Sequence, residues 1–109
     1  MKRYCLALDL VDDEGLITEY ENYHKDIWPG IRKSILDSGI HNMEIYRFSN
    51  RLFMIMEVDN TFTFEAKAAA DAANPVVQEW EALMWKYQQA MPGSRPGEKW
   101  VMMERIFVL

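Results

Sequence analysis

Hydrophobic positions in this chain switch from strand-like to helix-like spacing and back, and the order of the switches predicts an architecture. The run Arg3–Val11 (RYCLALDLV) is mostly apolar and reads as a strand buried on at least one face. Asp12 and Asp13 then offer N-cap and first-turn carboxylates, and Leu16, Tyr20, Ile27, Ile31 and Ile35 recur mostly near helical spacing, with Gly39 as the stop. Pro29 lacks an amide hydrogen and disfavours helical geometry at Trp28, so this long helix is expected to kink or restart at the Trp-Pro step. His41–Asp59 (HNMEIYRFSNRLFMIMEVD) holds two β-rich runs around the polar Ser49-Asn50-Arg51 break, a predicted hairpin. Thr61–Ala73 is alanine-rich and helix-favouring, and Asn74-Pro75 interrupts it before a second helix from Val76 to about Met91. Pro92–Lys99 (PGSRPGEK) is a loop by composition, and Trp100–Leu109 (WVMMERIFVL) reads as a terminal strand.

The predicted order β–α–β–β–α–β is the α+β, ferredoxin-like split βαβ arrangement: an antiparallel sheet with helices on one face. Such a sheet leaves its second face to water or to another layer. Here Leu52, Met54, Met56 and Val58 alternate with Phe53 and Ile55, and Trp100, Met102, Ile106 and Val108 alternate with Val101, Met103, Phe107 and Leu109. Both faces are largely apolar, so a second copy of the sheet is the simplest cover, and a homodimer packed through sheet faces is expected.

At 109 residues the chain is long enough for one core, which makes residues 1–109 a single domain. The formal charge of −5 opposes counterion-release binding, so nucleic acid is not an expected partner. No apolar run approaches the ~20 residues needed to span a bilayer, no export signal is recognisable, and the cytoplasm is the expected compartment. The single Cys5 has no partner for an intrachain disulfide and reads as a small hydrophobe.

Tyr20 and His24 stand at i and i+4 of the first helix, on one face and one turn apart. Imidazole can give and take a proton near neutral pH, and a phenol beside it can bind a substrate hydroxyl; a solvated or core-satisfied histidine fits the same spacing. Asp9, Glu57 and Glu104 are carboxylates within apolar runs, either paired with Arg47, Arg51 or Arg105 or placed for chemistry. His41 sits in a turn-like GIHN setting that favours a structural role. Trp28, Trp80, Trp85, Trp100, Tyr46 and Tyr87 supply aromatic surface for the core or for stacking on a sugar ring. No metal-ligand spacing, phosphate loop or dinucleotide fingerprint is present, which leaves cofactor-free chemistry or simple binding.

The run EYENYHKDIWPGI, the turn Gly39-Ile40-His41-Asn42, the hairpin EIYRFSNRLFMIMEV, the helix start NPVVQEW and the terminal MERIF together resemble the L-rhamnose mutarotase family over nearly the whole chain. The resemblance implies a dimeric α+β barrel fold and interconversion of the α and β anomers of a 6-deoxy-L-hexose without metal or organic cofactor. It implies His24, in its H-x-x-x-W-P context, as proton donor and Tyr20 as a sugar ligand, with Trp80 matching a site tryptophan on the last helix. Two positions depart from the family pattern: Met43 stands where a sugar-contacting tyrosine is usual, and Glu81 where a second tryptophan is usual. These differences point to altered hydroxyl recognition, and the MEIYR and RLFMIME pattern is similar to a fucose-directed branch. Two other functions suit the same fold: a monooxygenase of the dimeric α+β barrel type, and a non-catalytic sugar-binding module.

Overall fold

The computed structural model describes residues Met1–Leu109. Strand β1 (Lys2–Leu10) is followed by helices α1 (Glu14–Lys25) and α2 (Pro29–Asp37), the hairpin β2 (Ile40–Phe48) and β3 (Arg51–Val58), helices α3 (Phe64–Ala72) and α4 (Pro75–Trp85), and two short strands, β4 (Gln88–Gln89) and β5 (Val101–Met102). The sheet order is β2-β3-β1-β4, with β5 also on β1, and every pairing is antiparallel. This is the expected split βαβ sheet.

Local chemistry sets the helix ends. Asp13 caps α1 by accepting from the Leu16 amide at 2.9 Å, and Thr63 caps α3 through the Ala66 amide at 3.0 Å. Asn74 accepts from the Val76 amide at 3.0 Å, with Pro75 in the first turn of α4 where its missing N–H costs nothing. The Trp28-Pro29 step does more than bend one long helix: it ends α1 at Lys25 and restarts the chain as α2 at Pro29. Gly39 leaves α2 at φ +96°, and a Cβ there would stand 2.7 Å from Asp59 Oδ1, so this entry into β2 requires glycine.

The β1–β3 register places Tyr4, Leu6 and Leu8 beside Met56, Met54 and Leu52. These residues face the helices. One core cluster joins Leu6, Ile40, Met54, Met56, Val58 and Phe62; another joins Leu10, Leu52, Tyr20 from α1, Met84 from α4 and Tyr87. The alternate positions Cys5, Ala7, Phe53, Ile55 and Val101 lie on the sheet's other side, which no helix covers.

Two expectations need correction at the C-terminal end. The last helix stops at Trp85 rather than near Met91, because Tyr87 turns into the core and Gln88 and Gln89 join β1 opposite Leu10 and Asp9. The terminal strand is only Val101–Met102, with one further bond from the Met103 amide to the Cys5 carbonyl at 2.8 Å. Beyond it, Ile106 to Leu109 have no sheet neighbour to pair with and stand exposed. The fourth strand position is thus filled twice along β1, with residues 90–100 leaving the sheet in between.

Candidate active site

Helix α1 crosses the sheet near the hairpin end of β2 and β3, and a cleft of about 460 Å³ opens between them. Tyr20, Glu21, His24 and Lys25 line it from the helix, and Ile45, Tyr46, Arg47 and Leu52 from the strands. Its size falls within the range of small-ligand sites.

The i, i+4 pair at its centre is in contact: the Tyr20 and His24 rings lie 4.3 Å apart between centroids. His24 Nδ1 stands 2.8 Å from the Tyr20 backbone oxygen. A carbonyl can only accept, so Nδ1 carries the hydrogen, and in the neutral ring the lone pair is on Nε2. Burial lowers the His24 pKa below 6.5, and the bond to the Tyr20 carbonyl opposes that shift only in part. Near neutral pH the side chain is therefore an uncharged base with one nitrogen anchored to its own helix. Tyr20 is buried in the second core cluster, and loss of solvent pushes its pKa up to about 12, countered weakly by the Gln88 amide. Its hydroxyl stays protonated throughout the physiological range.

Trp80 from α4 closes an aromatic wall behind the histidine. Its ring lies 5.5 Å from His24, 5.1 Å from Trp28 and 6.2 Å from Tyr23, all near edge-to-face. Such contacts each add roughly 0.5–1.5 kcal/mol beyond area burial, enough to hold an imidazole in one orientation. Gly30 assists, since a Cβ there would come within 2.9 Å of Val76 Cγ1 where α2 meets α4.

The structure therefore brings Tyr20, His24 and Trp80 together. It does not bring Met43 or Glu81 to the cleft. Met43 packs against the Leu6–Phe62 cluster, two residues before the cleft-lining Ile45 on the same strand face. Glu81 turns towards Lys99, with 3.9 Å between Oε2 and Nζ, while Lys99 lies over the Trp85 ring at 4.8 Å. Asp9 is nearly buried and takes a two-pronged bond from Arg51, at 2.8 and 3.2 Å. Glu57 faces Arg3 at 3.6 Å and accepts from Asn42 at 3.1 Å, and Glu104 is exposed past the last strand. His41 binds Asp59 at 2.8 Å on the surface. The strand carboxylates and His41 are thus structural or solvent-facing, and none lines the cleft.

Sequence reasoning missed Glu21 and Arg47, whose 2.6 Å ion pair ties α1 to β2 at the cleft. The signal was present for Glu21, three residues before His24 on the same helix face. Nothing local marked Arg47, because its partner is set by how α1 crosses β2.

Comparison with known proteins supplies the family. The family model for L-rhamnose mutarotase matches residues 3–109. The chain belongs to the L-rhamnose mutarotase family. Among its relatives in that family and beyond, an L-fucose mutarotase of Xanthomonas campestris pv. campestris is 49% identical over 100% of this chain and 89% of its own length. An L-rhamnose mutarotase of Phocaeicola vulgatus is 31% identical, covering 88% of each chain. The solved L-rhamnose mutarotase of Formosa agariphila superposes with a TM-score of 0.74 at 20% identity, over 100% of this chain and 99% of that one, which shows a shared fold. No helix is long and apolar enough to cross a membrane.

Proposed function

We propose that this family member is a carbohydrate isomerase, a mutarotase that interconverts the α and β anomers of L-fucose or L-rhamnose by acid–base ring opening without a cofactor. The observation that carries the reading is His24 itself: an imidazole anchored through Nδ1 to the Tyr20 carbonyl, in ring contact with Tyr20 and lining an open cleft. Nε2 takes the proton of the anomeric hydroxyl as the bond from C1 to the ring oxygen breaks. The resulting imidazolium returns that proton to the ring oxygen, which shares C1 with the first, so one nitrogen serves both atoms. Rotation about C1–C2 and the reverse steps close the ring on the other face. Tyr20 donates to a sugar oxygen, and Trp80 holds the imidazole plane. Saturation-transfer NMR on L-fucose and L-rhamnose tests the reading; exchange no faster with protein than without would refute catalysis, and binding without exchange would leave a sugar-binding module.

The pH dependence follows from the sign of the His24 shift. A base whose pKa is lowered is active above that pKa and is lost as pH falls through it. The acid limb of kcat/KM is therefore expected below pH 6.5. A rate that instead fell on raising the pH through that region would assign His24 the resting role of proton donor.

Met43 and Glu81 bear on sugar preference indirectly. Met43 follows Ile45 inward along β2, where a phenol would add a hydroxyl deeper than the present cleft. Met43→Tyr is expected to change the ratio of kcat/KM for the two sugars by about ten-fold, the scale of one gained or lost hydrogen bond. Glu81 acts through Lys99 on the segment 90–100. The protein works as a homodimer through its uncovered sheet face, and its free Cys5 suits the cytoplasm.

A further inference from the structure

His24 and Tyr20 serve the reacting end of a 6-deoxyhexose and leave its other hydroxyls to be met by the rest of the cleft. A hydroxyl desolvated against Ile45 or Leu52 without a partner costs affinity. Met43 and Glu81 do not reach the cleft to meet it. The remaining polar lining is Glu21, Lys25, Arg47 and Tyr46, and the Tyr46 hydroxyl donates instead to Glu44 on the other face of β2.

The Arg47 guanidinium is held in a fixed plane. Nε donates to Glu21 Oε1 at 2.6 Å, and Nη1 donates to the Ser49 carbonyl at 2.7 Å, within a hairpin turn where Ser49 takes φ +55°. Arg47 Nη2 and Glu21 Oε2 bond no other protein group, which leaves a donor and an acceptor on either side of one ion-pair contact. The two side chains are 38% and 46% exposed, so water screens their attraction and the pair contributes little to stability. A sugar that displaces that water gains charge-assisted hydrogen bonds from a fork whose orientation is already set. Glu21 precedes His24 by three residues and shares its helix face. A pyranose with C1 at His24 therefore turns the far side of its ring, C3 and C4, towards Glu21 and Arg47.

We propose that Arg47 and Glu21 bind the vicinal hydroxyls on C3 and C4, the guanidinium donating to one oxygen and the carboxylate accepting from the other, and that this contact sets the sugar preference. The proposal rests on the reading of the Tyr20–His24 cleft as the sugar site. L-Fucose and L-rhamnose share their configuration at C3 and differ at C4, so a fixed fork meets both hydroxyls well in only one of them.

The test pairs residue changes with hydroxyl deletions: anomer exchange of L-fucose, L-rhamnose and the 3-deoxy and 4-deoxy analogues of the preferred sugar, with melting temperatures alongside. Arg47→Met and Glu21→Gln are each expected to raise KM for the preferred sugar about ten-fold, with kcat little changed, and to bring the two sugars' kcat/KM values closer together. On the analogue that lacks the hydroxyl it binds, each change is expected to cost less than about two-fold. Glu21→Gln carries the test alone if Arg47→Met folds poorly. Unchanged KM, or equal losses on the parent sugar and both analogues with a lower melting temperature, would overturn the proposal and leave the ion pair as a tie between α1 and β2. If the wild-type protein accelerates neither sugar, the sugar-site reading falls and this proposal with it. If wild type is active and His24→Asn is not, while both ion-pair variants keep the wild-type KM, this proposal alone is refuted.

Discussion

Replacing His24 with Asn is expected to bring anomer exchange down by about 10²–10⁴-fold, the usual contribution of a positioned proton-transfer group. Asparagine can still donate to the Tyr20 carbonyl, now held by Nδ1 at 2.8 Å, but it offers no nitrogen lone pair to the cleft. The imidazole is half-buried against Tyr20 and Trp80, so the smaller side chain loses ring contacts and leaves a gap at a cleft already open to solvent. The fold is expected to survive, with an unchanged far-UV circular dichroism spectrum and a somewhat lower melting temperature. Saturation transfer between the anomers of L-fucose measures the loss. Retention of more than about a tenth of the rate would move the proton transfer to another group, and Glu21, the one carboxylate lining the cleft, would be examined next.

That experiment addresses a residue that spacing alone could nominate. Tyr20 and His24 were legible because an i, i+4 pair on an amphipathic helix must share a face, and the Trp-Pro step marked a kink or restart in the long helix expected there. The Asp13 cap and the Asn74-Pro75 interruption were equally local signals. The strand carboxylate Asp9 was ambiguous for a physical reason: its partner Arg51 lies far along the sequence, and only the β1–β3 register brings them together. The Arg47–Glu21 pair was not legible for the same reason, since it depends on how α1 crosses β2. The C-terminal error has another origin. An apolar run such as Ile106–Leu109 satisfies a strand pattern, yet a strand needs a neighbour with free backbone groups, and β1 is paired with β5 only at Leu6 and Ala7. Alternation records the face a residue prefers and says nothing of where the ladder ends.

Lysine in place of Ile55 is expected to turn the proposed dimer into a monomer while leaving the cleft at work. Ile55 sits in the middle of β3 between Cys5 on β1 and Glu44 on β2, on the face that no helix covers. Phe53 and Val101 share that face, and Tyr46 and Met103 beside it are 52% and 45% exposed. Soluble monomers rarely leave so continuous an apolar surface to water, and a second copy related by a two-fold axis would cover it with an identical patch. In a single chain a lysine at this position can run its methylenes over Phe53 and raise its ammonium into solvent, so the fold tolerates it. Between two packed sheets about 10 Å apart, the same ammonium would be desolvated beside Glu44, its cross-strand neighbour, and the attraction of that pair does not repay the loss of water and of apolar contact, which together cost several kcal/mol for each subunit. Light scattering after size-exclusion chromatography should give the mass of two chains for the wild type and of one for Ile55→Lys. A wild-type monomer at micromolar concentration, or an unchanged dimer in the variant, would refute this arrangement. The cleft residues Tyr20, His24 and Arg47 come from one chain and lie on the helix side of the sheet, so the monomeric variant is expected to retain anomer exchange within about a factor of two, by the independence of distant sites. Loss of exchange on dissociation would instead mean that the partner's approach to the hairpin end of β2 completes the site.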